Sequence, residues 1–337
     1  MPHTPEDLPT ASLRAIRQRA QLLAAVRQFF DERGYFEVET PLLSHDVCVD
    51  VWLDPFIVRD LGAAAVGDEM YLQTSPEFAM KRLLVAGAEA IYQITRSFRR
   101  GEAGRLHNPE FTILEWYRVG STIEQQMDLV EELVQSIADS PSHGVDPRGP
   151  LEQPFVRLTY DDAFERFAGR RVLTATCGEL ARLAEQHNVS VPPQFSHDDR
   201  DAWLNLLLAS VVEPRLKELG GVVGHDYPAS QCALARVRND DRPVAERFEL
   251  YLDGIELCNG YQELTDADEL AARMRRQAEL RRSNGLSELP TDSRLIAAMR
   301  RGLPECAGVA LGFDRLALWA LGGNSLADVV AFPFDRA

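Results

Sequence analysis

Cysteine is scarce. The 337 residues hold five, Cys48, Cys177, Cys232, Cys258 and Cys306, and no two of them form a CxxC pair. Such spacing encodes neither a zinc knuckle nor a disulfide framework. Long apolar runs are missing too; none approaches the roughly 18–20 residues that span a bilayer. The opening Met1-Pro-His-Thr-Pro-Glu-Asp7 is acidic, unlike the positively charged start of a secretory signal. Basic residues also fall short, 36 Lys and Arg against 52 Asp and Glu, for a formal charge of −16 at pH 7. A broad grip on nucleic acid needs clustered Lys and Arg to neutralise phosphates. No stable nucleic-acid binding and no membrane contact are therefore expected. Repeats and low-complexity tracts are absent. What remains is 45 % apolar and 26 % charged, enough for a real core in one large domain or two small ones. The expectation is a soluble cytoplasmic protein.

Hydrophobic spacing predicts an amphipathic helix over 12–33, capped by Ser12, with Leu13, Ile16, Ala20 and Leu23 recurring and Gly34 as its left-handed stop. Alternation and a pre-proline residue make 35–41 extended. Residues 70–73 read as a short strand before a Thr-Ser-Pro-Glu turn and a helix through Phe78, Leu83 and Val85. Residues 90–118 read as two strands around a polar loop. Helices are predicted at 121–139, 160–168, 177–187 and 199–219, with linkers at 140–154 and 190–198. Strands return at 222–227 and 244–262. A charged helix runs from 266 to Ser283, stopped by Asn284-Gly285, and a strand–turn–helix at 307–321 completes the pattern. Strands and helices do not alternate regularly and close hairpins recur. The fold class is therefore α+β with an antiparallel sheet flanked by helices, rather than a doubly wound parallel sheet.

Two hairpins gather charge. In the first, period-2 alternation puts Gln93, Thr95, Ser97 and Arg99 on one face, with Phe111, Ile113, Glu115 and Tyr117 together on the return strand. The loop from Arg100 to Pro109 holds two glycines, two arginines and a histidine. Guanidinium forks on flexible backbone suit polyphosphate oxygens; a solvated tip with an incidental charge cluster explains the same spacing. In the second hairpin, Asp253-Gly254 is a two-residue turn signal, which sets Leu252 opposite Ile255, Tyr251 opposite Glu256 and Glu249 opposite Cys258. Glu249 and Glu256 then share a face as diagonal neighbours. Paired carboxylates repel unless a cation sits between them, and oxygen ligands suit Mg²⁺; an exposed acidic face is the plainer alternative. Glu263 points away under strict alternation, and a bulge at Asn259-Gly260 would bring it back. A third element, Gly308-Val-Ala-Leu-Gly312-Phe-Asp-Arg315, reads as an apolar strand entering a helix with an arginine in its first turn. Alone, it fits any packed strand–helix corner.

In this order the pieces resemble the class II aminoacyl-tRNA synthetase core. Arg33-Gly-Tyr-Phe-Glu-Val-Glu-Thr-Pro41 looks like its first motif, Phe98-Arg99 with His107-Asn-Pro-Glu-Phe111 like its second, and Gly308 to Arg315 like its third. Thr74-Ser-Pro-Glu77, His107 to Thr112 and Glu256-Leu-Cys-Asn-Gly-Tyr-Gln-Glu263 narrow the likeness to the lysyl branch. The first motif begins at residue 33, with no preceding anticodon-reading barrel. The chain thus resembles the elongation factor P–(R)-β-lysine ligase family of truncated lysyl-synthetase paralogues. The resemblance implies one class II synthetase-like catalytic domain over 12–337, with a mostly helical insertion at about 121–235 and an N-terminal tail at 1–11. It implies no anticodon-binding domain. A compact lysyl-tRNA ligase and a non-catalytic ATP- or amino-acid-binding regulator are the competing readings.

The resemblance also assigns roles. Arg99 and Arg315 are the catalytic arginines, on the α-phosphate and the terminal phosphate of ATP. Phe111 stacks on adenine, and His107 and Asn108 help fold the nucleotide, with Leu250 and Gly312 beside it. Glu249 and Glu256 hold Mg²⁺. Ser75, Glu77, Glu115, Tyr117, Glu256, Asn259, Glu263 and Ala310 form the amino-acid site. Two positions depart from the family pattern. The second motif ordinarily continues Arg-x-Glu, the glutamate reading adenine, whereas Gly101 stands there and Glu102 follows; either Glu102 is the substitute or backbone groups read adenine. Ala310 replaces a glycine of lysyl synthetases and adds a methyl to the pocket floor, worth about 1–3 kcal/mol in discrimination. The implied partners are ATP, a lysine-like amino acid, elongation factor P as acceptor, and a second copy of the chain in a homodimer through residues 22–43.

Overall fold

Ser12 accepts the N–H of Ala15 at 3.1 Å and opens helix α1 (Leu13–Asp31), whose Leu22, Val26, Phe29 and Phe30 form the buried stripe. Gly34 adopts φ +77°, the left-handed stop the sequence calls for. In the computed structural model, residues 5, 7–59, 69–139, 151, 154–239 and 242–337 are described. Most of the linker expected at 140–154, and residues 1–4 and 6 of the expected tail, lie outside them. After α1 come the strands β1 (Phe36–Glu37), β2 (Leu43–Ser44), β3 (Ile57–Arg59) and β4 (Glu69–Leu72), then α2 (Glu77–Val85). Next are β5 (Ala90–Phe98), β6 (Glu110–Val119), α3 (Ile123–Ala138), β7 (Val156–Thr159), α4 (Tyr160–Ala168), α5 (Cys177–Gln186), α6 (Arg200–Leu207) and α7 (Glu213–Leu216). The rest are β8 (Gly221–Pro228), β9 (Val237–Arg238), β10 (Val244–Leu252), β11 (Ile255–Gln262), α8 (Ala267–Ser283), α9 (Arg294–Met299), β12 (Cys306–Gly312) and α10 (Phe313–Ala320).

The chain packs as two units, one of Met1–Thr122, Glu132–Gly149 and Leu264–Ala337, the other of Ile123–Glu131 and Pro150–Glu263. In the first, β1 pairs parallel with β5, β5 antiparallel with β6, and β6 antiparallel with β12. A separate antiparallel set runs β2-β4-β3. Helix α1 lies on this sheet through Phe30, whose ring stacks on Tyr92 at 4.9 Å and meets Trp116 at 5.0 Å. A buried carboxylate ties three elements together. Asp314 of α10 accepts Arg19 of α1 at 2.5 Å and the N–H of Thr112 in β6 at 3.0 Å.

The second unit carries β11, β10, β8 and β7 in sequence, with β7 parallel to β8, the other pairs antiparallel, and β9 also on β10. Phe164, Trp203, Leu204, Leu207 and Val212 form its helical core. The helix expected over 199–219 is interrupted by a π turn at Leu208–Val212, which ends two residues before Pro214 in the first turn of α7. Proline lacks the N–H and crowds the carbonyl four residues back, and the wider π turn relieves that conflict.

Three further differences separate the structure from the sequence expectations. Only Phe36 and Glu37 of the extended 35–41 stretch pair in a strand. Strand β12 enters α10 with no intervening turn. The short β2, β3, β9, α7 and α9 carry too few residues for a period to show. Among the described residues no helix is long and apolar enough to cross a membrane.

Candidate active site

In the first unit, register builds one candidate face. Gln93, Thr95 and Ser97 of β5 stand opposite Glu115, Ile113 and Phe111 of β6. On β12, Gly308, Ala310 and Gly312 stand opposite Tyr117, Glu115 and Ile113. Directly opposed residues of an antiparallel pair share a face, so the face expected from alternation forms, with the Ala310 methyl beside Glu115. Glu115 is fully buried. Ser75 Oγ donates to its Oε1 at 2.6 Å and the Tyr117 hydroxyl to its Oε2 at 2.9 Å. Burial, reinforced by repulsion from Glu77, pushes its carboxyl up to about 8.

Glu77 sits in the first turn of α2, where Ser75 Oγ accepts its N–H at 3.1 Å. It is not a lone carboxylate. Lys81, one turn on and 2 % exposed, donates to its Oε1 at 2.5 Å. The sequence holds only one other lysine, Lys217, and period alone does not distinguish Lys81 from a surface residue. Cys48 lies within electrostatic reach of Glu77, Lys81 and Arg99, and burial pushes its thiol up.

Arg99 lies over the Phe111 ring at 5.1 Å, and its Nη1 is 3.9 Å from Glu102 Oε1. Its Nε is buried and has no hydrogen-bond partner among the described residues. A buried donor left unpaired is costly, so this guanidinium suits an anionic ligand lying along the Phe111 ring. The loop is closed at its base by Arg99 N–H to Pro109 O at 2.8 Å. Arg315, in the first turn of α10, donates from Nη2 to His107 Nε2 at 2.7 Å and from Nε to Leu106 O at 3.3 Å. Desolvation, then the neighbouring Arg315 and Arg99, lower the His107 pKa, which keeps the ring neutral and able to accept. The Asn108 side chain donates to Glu110 O at 2.6 Å and accepts Phe334 N–H at 2.8 Å, so it shapes the loop.

In the second unit, the β10–β11 hairpin carries the carboxylates expected to hold a metal. Asp253 (φ 50°) and Gly254 (φ 75°) make the expected tight turn, with Leu252 opposite Ile255 and Tyr251 opposite Glu256. A bulge then shifts register between Leu250 and Tyr251, so Glu249 faces Asn259 and not Cys258. The extra residue changes the parity of the strand: Glu256, Asn259, Tyr261 and Glu263 fall on the Glu249 face. The bulge expected at Asn259-Gly260 thus lies nearer the turn. Gly260 has another reason to be glycine, since a Cβ there would stand 2.2 Å from Phe248 Cε1. The Leu250 side chain alternates to the opposite face and is fully buried in the core.

Glu249 is held firmly. Its Oε2 accepts from Tyr227 at 2.6 Å and from Tyr251, and its Oε1 accepts from Arg247 at 2.5 Å and more loosely from Asn259 Nδ2 at 3.5 Å. Burial and the Glu249 charge keep both phenols protonated and donating. Asn259 Oδ1 is buried with no hydrogen-bond partner among the described residues. Among those residues no group of three or more His, Cys, Asp or Glu is placed to hold a metal alone. Two carboxylates and an orphaned amide oxygen on one face are a hard-oxygen set. That set fits Mg²⁺, which takes one or two carboxylates and completes its shell with water and phosphate oxygens.

Sequence reasoning missed Arg19, Asp314, Lys81, Arg247, Tyr227 and Tyr251. Each acts through a partner distant in sequence or through a buried charge that no local pattern marks.

Comparison with known proteins agrees with this geometry. A family model described as tRNA synthetases class II (D, K and N) matches residues 9–336. The elongation factor P–(R)-β-lysine ligase of Yersinia enterocolitica is 44 % identical over 338 residues, covering all of both chains. The same-named proteins of Pectobacterium atrosepticum (43 %, all of both chains) and Vibrio cholerae (44 %, 98 % of both) are similarly related.

Proposed function

The chain belongs to the class II tRNA synthetase family of the D, K and N type, and from this we propose that it is an ATP-dependent ligase. It activates (R)-β-lysine as the adenylate and transfers it to a lysine side chain of elongation factor P. The observation that carries the reading is one sheet face. It presents Arg99, with its unpaired buried Nε, beside Phe111, and, four and six positions further along β6, Glu115 and Tyr117, with Ser75 hydrogen-bonded to Glu115. Full-length likeness to three ligases of that name supports the substrate and the acceptor.

A carboxylate is already a nucleophile, so adenylation needs placement at the α-phosphorus and charge stabilisation rather than a general base. Arg99 Nε and its guanidinium face hold the α-phosphate, with adenine on Phe111. Neutral His107 orients Arg315 toward the terminal phosphate. Glu102, 3.9 Å from Arg99, aligns that guanidinium in place of the glutamate absent at Gly101. Glu249 and Glu256, with Asn259 Oδ1, would hold Mg²⁺, which supplies charge neutralisation on the phosphates. At the amino-acid end, an arriving ammonium stabilises the ionised form, so the Glu115 proton is released to solvent and the carboxylate stays held by Ser75 and Tyr117. Glu77, already paired with Lys81, offers its second oxygen to the other amine, and Glu263 and Asn259 belong to the same substrate set. Ala310, opposite Glu115, narrows the floor. Homodimerisation uses the α1–β1 region, where Phe36 and Leu42 are exposed, and the protein works in the cytoplasm.

Labelled β-lysine with ATP, offered to elongation factor P and to tRNA side by side, tests the reading. Labelled elongation factor P and uncharged tRNA are expected, and Arg99→Ala should lower amino-acid-dependent ATP–pyrophosphate exchange by about 10²–10³. Charging of tRNA without protein labelling would replace this function with that of a compact lysyl-tRNA ligase.

A further inference from the structure

The loop that follows Arg99 departs from the family pattern at Gly101, and the structure shows what holds it instead. Asp54 lies far upstream in sequence, between β2 and β3. Its Oδ2 accepts Arg100 Nε at 2.8 Å and also Arg100 Nη2, while its backbone carbonyl accepts the Arg100 N–H at 2.8 Å. Its Oδ1 accepts Arg281 Nη2 at 2.9 Å. Arg281 projects from the last turn of α8 and has no exposed surface. Its Nη1 donates to the carbonyls of Asp50 and Leu53 at 2.8 and 3.1 Å, and its Nε to that of Ser287 at 3.0 Å. A fully buried charge persists only when paired and hydrogen-bonded, so Arg281 is a fixed post and Asp54 a carboxylate shared between two arginines. Burial alone would raise the Asp54 pKa, but the Arg281 and Arg100 contacts override it and hold it low, so the bridge is charged at neutral pH.

Next in the chain, Gly101 adopts φ +85° with no atom within 4 Å of where a Cβ would stand. A left-handed residue there is strained for glutamate whatever the space. The turn it makes brings Glu102, not residue 101, beside Arg99. Anchor, turn and displaced glutamate lie on consecutive residues, 100, 101 and 102.

Resting on the proposed function, we infer that Asp54 and Arg100 form a positioning clamp for the nucleotide loop. The clamp ties the start of the loop to buried Arg281, so that Arg99 and Glu102 meet ATP in a fixed arrangement although the family's glutamate is absent. It acts through Arg99 and touches no substrate itself.

Arg100→Gln opens only the loop side of the bridge and leaves Arg281 paired. In the full-length protein, the affinity for a non-hydrolysable ATP analogue should fall about three- to tenfold, the size of one partly exposed ion pair. The KM for ATP in pyrophosphate exchange should rise by the same factor, with the KM for the amino acid and the melting temperature unchanged. Arg100→Lys, which keeps the charge, should recover most of the loss, and amide exchange of residues 101–108 without nucleotide should quicken in Arg100→Gln but not in Arg100→Lys. Asp54→Asn should show the same nucleotide defect and also melt lower, because buried Arg281 loses its carboxylate. Unchanged analogue affinity in Arg100→Gln, or parallel rises in both KM values with a lower melting temperature, would overturn the clamp while leaving the ligase reading intact. A wild-type protein that binds no analogue would overturn both.

Discussion

Glu115 carries a pH signature of its own. Its carboxyl titrates near 8 in the folded chain against 4.5 for an ordinary glutamate, so the native state binds this proton more tightly than the unfolded state. Its contribution to stability is complete below about pH 4.5 and is lost as pH rises through about 8. Glu115→Gln removes the titration. The melting temperature of the variant relative to wild type should therefore climb across that window, and a flat difference would show that Glu115 is ionised at neutral pH. At this scale much of the site was legible in the sequence. Gln93, Ser97, Phe111, Glu115 and Tyr117 share a face because strand alternation has a period of two, and they do so in the structure. The Glu77–Lys81 pair, the phenols on Glu249 and the burial of Leu250 were not legible, because which carboxylate is neutralised depends on what packs over it.

Hairpin β10–β11 shows the same division between elements. Asp253-Gly254 announces its turn and the first pairs beyond it, since both residues take positive φ and the turn geometry sets register locally. The bulge beside Leu250 escaped, and with it the partner of Glu249, because one inserted residue changes every later side chain's face. Gly260 tests the packing. Its missing Cβ leaves room for the fully buried Phe248 ring, so Gly260→Ala should destabilise by about 1–3 kcal/mol, the usual cost of overpacking. Thermal melting reads this directly, and no change would mean that the ring can move. Asp314 has a comparable place between α1, β6 and α10. It holds these three elements of the first unit together through Arg19 and Thr112, a link across 295 residues of sequence for Arg19.

For the whole molecule, the charge of −16 disfavours polyanionic partners and is compatible with a protein acceptor. Helix α1 and β1 leave Phe36 53 % exposed and Leu42 39 % exposed, apolar surface of the kind that marks an interface. Sedimentation should find a dimer, and Phe36→Asp should shift it to monomer with each chain still folded; a wild-type monomer at micromolar concentration would remove that interface. Local pattern fixes the α+β class, nearly all the long elements, the order of the three motifs and which residue types gather on each strand face. Each of these depends on local periods, turn chemistry or a linear pattern. Only the tertiary structure decided the hairpin register, the partners of Glu77 and Glu249, the Asp314 tie and the Asp54 bridge between Arg100 and Arg281. Those depend on groups brought together from distant parts of the chain, where burial makes an unpaired charge too costly and so dictates which charges meet.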